Sequence, residues 1–119
     1  MNARKEKDDI ARDLARLAHI LDEIRDIEVF VAEGTKDRKT EKAIERSIQI
    51  IGEACRAISE KLKARYPDVP WHDIVGMRHI LVHEYYQVKK ETLWNVAEHK
   101  IPALKDWILG ILHDIEQSQ

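Results

Sequence analysis

The stretch Ile44-Glu45-Arg46-Ser47-Ile48-Gln49-Ile50-Ile51-Gly52-Glu53-Ala54-Cys55-Arg56-Ala57-Ile58-Ser59-Glu60-Lys61-Leu62 decides the fold class of this chain. Its apolar residues Ile44, Ile48, Ile51, Cys55, Ile58 and Leu62 recur at alternating steps of four and three, the period of one buried stripe on an α-helix. The spacing predicts one helix that stops before Tyr66-Pro67-Asp68-Val69-Pro70, where two prolines remove backbone donors and fix a turn. Upstream, Ile10, Leu14, Leu17, Leu21, Ile24, Ile27 and Val31 repeat the period in a long first helix ending near Gly34. Downstream, a third helix is expected from about Trp71 to Tyr85, ending near Gln87, with Ile74, Met77 and Leu81 on its inner face. A fourth stripe, Leu93, Val96, Ala97, Ile101, Leu104, Ile108, Leu112 and Ile115, stays in phase across Pro102, so that proline is expected to kink the helix rather than end it. The expected architecture is all-α, a four-helix up-and-down bundle with short connections and a kinked last helix.

Composition agrees. Charged residues make up 35% of the 119 positions and aromatics 6%, with four glycines and three prolines, a balance that favours helices over a sandwich or barrel. The length suits a single domain over residues 1–119, at a size where an oligomer interface adds usefully to stability. The charged opening, Met1 to Asp9, has no apolar core of the signal-peptide kind, and no apolar run approaches membrane length, so a cytoplasmic protein without a membrane role is expected. The lone Cys55 sits at a core spacing and reads as a small buried apolar residue.

A net charge of −2 excludes a general nucleic-acid coating protein, because phosphate binding is driven by Lys and Arg. Any RNA site must be local. Arg56, Lys61, Lys63 and Arg65, and Lys36, Arg38, Lys39 and Lys42, are the clusters available, each also readable as an ordinary solvated helix face. His19, His72, His99 and His113 stand singly and read as surface or capping residues, while Trp71, Trp94 and Trp107 read as core and interface anchors.

The chemistry concentrates in Arg78-His79-Ile80-Leu81-Val82-His83-Glu84-Tyr85. An imidazole can take the proton of a ribose 2′-hydroxyl, and a guanidinium can hold a phosphate that gains charge, so an arginine and a histidine suffice to cut RNA without a metal. His79 and His83 share a helix face and could clamp a metal, but no third ligand stands at a matching spacing. On a regular helix, Arg78 and His83 lie about 140° apart, so one helix does not aim both at one atom. Either the helix is distorted before His83 or two subunits build a composite site. The alternative without catalysis is a buried Arg78–His83 polar network holding two helices together.

The order and spacing of Ile51-Gly52-Glu53-Ala54, Pro70-Trp71, Gly76-Met77-Arg78, His83, Tyr85, Trp94, Pro102 and Leu104 resemble the HEPN ribonucleases, most closely the HepT-type toxins of the HEPN/MNT toxin-antitoxin systems, over roughly residues 45 to 110. His79 departs from the family pattern, which has a small polar residue there. The resemblance implies a homodimeric HEPN-like bundle whose cleft collects both arginines and both histidines, with Arg78 and His83 catalytic. Tyr85 and His79 would support or bind the phosphate, and no cofactor is needed. It implies an RNA substrate, such as tRNA or mRNA, and a cognate MNT-type nucleotidyltransferase antitoxin that transfers AMP to Tyr85; Tyr86 is the weaker acceptor. A non-catalytic HEPN scaffold or nucleotide-binding subunit that partners a nucleotidyltransferase is the alternative.

Overall fold

The computed structural model describes residues 3–79 and 86–118. Among them the order is α1 (Ala3–Glu33), α2 (Arg38–Ala57), α3 (Glu60–Arg65), α4 (Trp71–Gly76), α5 (Tyr86–Asn95), a π-turn (Val96–Lys100) and α6 (Ile101–Gln117), with no strand. The all-α expectation holds. α1 ends where Gly34 takes φ 70° and its N–H bonds to Phe30 O at 3.2 Å, the left-handed closure that a residue with a Cβ rarely adopts. Asp37 then opens α2 by accepting from Thr40 N at 2.8 Å. This bond holds the Asp37 carboxyl below the usual carboxylate range.

Burial follows the stripes. Leu17, Ile24 and Ile27 of α1 and Ile44, Ile48, Ile51 and Cys55 of α2 are fully enclosed, where they meet Ile101, Leu104 and Ile108 of α6. Ile20 and Ile111 join the core from neighbouring positions on the same faces, whereas Ile10 is exposed. Cys55 is buried, as its spacing predicts, and burial pushes its thiol up to about 12.

The second helix differs from its expected single piece. Ile58 takes extended backbone angles and Ser59 restarts the chain as α3, its side chain capping Leu62 N at 3.2 Å. The break is built by Asp13, a buried carboxylate on α1 that accepts from Ser59 N at 2.9 Å and from Ser59 Oγ at 2.6 Å. Periodicity could not reveal it, since Ile58 and Leu62 remain buried on either side.

The proline turn is as expected. Pro70, at φ −78° and ψ 69°, forms a tight inverse turn closed by Trp71 N donating to Val69 O at 2.8 Å. The Trp71 indole donates to Tyr66 O at 3.0 Å, and the Tyr66 hydroxyl donates to Asp114 at 3.1 Å, tying this corner to α6.

The kink near Pro102 also stands, in a specific form. Proline cannot donate to the carbonyl four residues before it, and the chain absorbs the loss by widening one turn, so that Ile101 N bonds to Val96 O. α5 starts earlier than the fourth stripe suggests. The expected end of the third helix near Gln87 lies inside α5, because Lys89, Lys90 and Glu91 are good helix formers that extend the stripe backwards.

Candidate functional site

Arg78 lies just past the end of α4, in a turn and not in the body of a helix. Arg78 N reaches Val75 O at 3.4 Å and His79 N reaches Gly76 O at 3.0 Å, bonds of the tighter i→i+3 kind. The chain has therefore left regular α geometry at Arg78. The third helix expected from Trp71 to Tyr85 is α4 only as far as Gly76. His83 and Tyr85, and with them the composite geometry, lie outside the described residues.

The Arg78 side chain is mostly enclosed, with 19% of its area exposed, and its Nη1 donates to Glu53 Oε1 at 2.6 Å. Glu53 belongs to α2 and also faces Arg56 at 3.9 Å. This close docking depends on the residue before Glu53. A Cβ on Gly52 would sit 3.0 Å from Arg78 Cβ and 3.3 Å from both Arg78 N and Val75 O, so glycine lets the turn lie against α2. Arg78 Nε is buried without a hydrogen-bond partner. The guanidinium is thus clamped through one nitrogen and holds a second donor uncommitted. His79, by contrast, is exposed.

Sequence reasoning identified Arg78 and missed its partner. Glu53 stands 25 positions away with no local signal for the pairing, although Gly52 inside a helical stripe marks a close approach. Trp94 is another element whose role only the fold shows. Its indole donates to the buried Glu41 carboxylate at 2.7 Å, Lys90 approaches the same carboxylate at 3.6 Å, and Lys36 lies 5.0 Å above the ring centre. Together with Lys89–Glu45 at 3.0 Å, these contacts fasten α5 to α2. Of the basic clusters, Lys36 also pairs with Glu98 at 3.5 Å and Lys61 with Glu6 at 3.4 Å, so both serve packing. Among the described residues no three His, Cys, Asp or Glu side chains gather as a metal site, and no helix is long and apolar enough to cross a membrane.

A profile of the family described as Ribonuclease HepT-like matches residues 18–111. A protein of Methanocaldococcus jannaschii named as a candidate RNase is 36% identical over 107 residues, 86% of this chain and 88% of that one. A candidate ribonuclease HepT of Thermococcus cleftensis is 33% identical over 97 residues, 82% of this chain and 87% of that one. A candidate RNase of Caldanaerobacter subterraneus is 36% identical over 77 residues, covering 65% and 69% of the two chains. No solved structure gives a significant match.

Proposed function

The chain belongs to the Ribonuclease HepT-like family, and from that premise we propose that it is an endoribonuclease toxin that cuts RNA without a metal, using Arg78 and His83 in a cleft between two copies of the chain. The observation that carries this reading is the state of Arg78. It is anchored to Glu53 at 2.6 Å through one nitrogen, and with 19% of its side chain exposed the rest of the guanidinium can meet a phosphate oxygen. A guanidinium fixed before the substrate arrives stabilises the charge that grows on the phosphoryl oxygens without reorganising during the reaction.

In the proposed reaction the His83 imidazole takes the ribose 2′-hydroxyl proton. The freed oxygen bonds to phosphorus as the bond to the 5′-oxygen breaks, and that oxygen leaves with a proton from an acid, the second subunit's imidazole or water. A 2′,3′-cyclic phosphate results. Tyr85 orients the phosphate or the imidazole, and His79, exposed at the rim, adds a donor. Silencing follows from the same site: a partner nucleotidyltransferase joins the Tyr85 phenol oxygen to the α-phosphorus of ATP, releasing pyrophosphate, and the new anion occupies the place of the substrate phosphate.

The test is RNA cleavage by the full chain. His83→Ala and Arg78→Ala are each expected to lower the rate by about 100- to 10,000-fold with helical content retained, and EDTA to leave the wild-type rate intact. Light scattering is expected to give twice the 13.9 kDa chain mass. After incubation with the partner enzyme and ATP, one or more added AMP units of about 329 Da each should map to Tyr85. The Arg78–Glu53 pair favours a second reading, a non-catalytic HEPN scaffold in which arginine holds α4 to α2. Variants at Arg78 and His83 that cleave like the wild type would leave that reading standing.

A further inference from the structure

The three tryptophans read alike in the sequence, as anchors, but the fold separates them. Trp71 and Trp94 give their indole N–H to Tyr66 O and Glu41, and Trp94 is buried. Trp107 is 37% exposed, and its ring faces a cleft of about 720 Å³ between α4 and the π-turn with α6. No described residue accepts from it. Asn95, His99, Ala103 and Trp107 follow one another at i, i+4 spacing, so they form one helix face along this cleft. Ala103 and Gly76 leave the middle open between Trp107 and the opposite wall, where His72 and Met77 stand.

The polar lining is weighted toward donors. His72, His99 and Lys100 can each donate to an anion, against the single carboxylate of Asp73, and none of the three is paired with a described acid. This contrasts with Lys36, Lys89, Lys90 and Lys105, whose ammonium groups are all engaged by carboxylates. The cleft also adjoins the proposed scissile-phosphate site. Met77 lines it, while the next residue, Arg78, turns the other way onto Gly52 and Glu53.

An exposed indole beside an unpaired lysine and two imidazole donors, in a cleft of ligand size, is a combination suited to single-stranded nucleic acid, because every base offers a π-face and every linkage a charge. We propose that this cleft is a nucleoside subsite for single-stranded RNA, in which a base flanking the scissile linkage stacks on Trp107 while Lys100, His99 and His72 bind neighbouring phosphates. The proposal rests on the RNA-cleaving reading and deepens it. It makes the preferred substrate an unpaired segment, since a base held in a duplex cannot reach the indole.

The experiment titrates the full chain with a short, uncleavable 2′-O-methyl RNA oligonucleotide, following tryptophan fluorescence and salt dependence, beside cleavage assays of unmodified RNA. Binding is expected to quench the signal of Trp107, and Trp107→Ala to remove that quench and weaken binding about 5- to 150-fold. Lys100→Ala should lower the slope of log affinity against log salt by about 0.7, one phosphate contact on a single strand. Arg78→Ala should abolish cleavage and keep the quench. Equal affinity in the wild type and Trp107→Ala, or equal quenching by duplex RNA, overturns the subsite even if cleavage persists. A Trp107→Ala variant that turns a dimer into a monomer without losing affinity assigns the cleft to a second copy and also overturns it. Tryptophan-dependent RNA binding by a chain that cuts no RNA would uphold the subsite and sink the catalytic reading.

Discussion

Gly52 and Arg78 approach so closely that a Cβ on the glycine would lie 3.0 Å from the arginine Cβ. Two of the nearest atoms are backbone, Arg78 N and Val75 O, and cannot swing aside. Gly52→Ala should therefore push the α4 turn off α2. Overpacking costs about 1–3 kcal/mol, partly offset by the roughly 1 kcal/mol that alanine gains over glycine inside a helix. The expected outcome is a modest fall in the thermal midpoint and a much larger fall in RNA cleavage, because the displaced residue is Arg78. A variant that cuts at the wild-type rate would mean that the close approach does not position the guanidinium.

Glu53 is the partner through which that position is held, at 2.6 Å from Arg78 Nη1. Glu53 is 57% exposed but Arg78 only 19%, so Glu53→Ala leaves an enclosed guanidinium without its partner and should lower the thermal midpoint modestly. Its cleavage rate should fall about 10- to 100-fold through kcat, as for a misplaced catalytic group. Glu53→Gln, which keeps an acceptor, should recover part of the loss. The double variant with Arg78→Ala should be no slower than Arg78→Ala alone, since Glu53 acts through the arginine.

The buried Trp94–Glu41 bond makes a stability prediction. Trp94→Phe removes one charge-assisted hydrogen bond from the buried Glu41 carboxylate, which keeps its contact with Lys90 at 3.6 Å, at a cost of about 1–3 kcal/mol beyond the change in ring size. Urea unfolding should show a lower midpoint with an unchanged slope. Glu41→Gln keeps an acceptor for the indole and should cost less than Glu41→Leu, which keeps none.

Cys55 gives the alkaline pH dependence. Burial raises its thiol from an ordinary 9.0 to about 12, so the native protein should resist alkylation at mildly alkaline pH and react only when unfolded. The folded pKa is the higher one, hence the unfolded chain loses its proton first and stability falls as pH rises from about 9 toward 12. The slope is on the order of 1.4 kcal/mol per pH unit within that window. Tyr66, raised by burial and by its bond to Asp114, pulls the same way. Denaturant curves for Cys55→Ala should show a shallower alkaline decline than the wild type; identical slopes would remove the thiol as a cause.

The sequence by itself determined the helical class, the core stripes and the kink before Pro102, because apolar periodicity and the missing proline N–H act over one or two turns. It also singled out Arg78, through residue types that a fold rarely encloses without a purpose. What the tertiary structure decided is where long-range polar contacts override that local pattern. Asp13 breaks the second stripe at Ser59, 46 residues away, while leaving its hydrophobic phase intact. Glu53 and Gly52 fix Arg78 in a turn beyond α4, although the spacing alone continues the helix. Trp107 faces a cleft while Trp71 and Trp94 find acceptors, a division that depends on which helix packs opposite each ring. Local spacing encodes which face of a helix is apolar; which partner meets a polar group on that face is settled only when the helices pack.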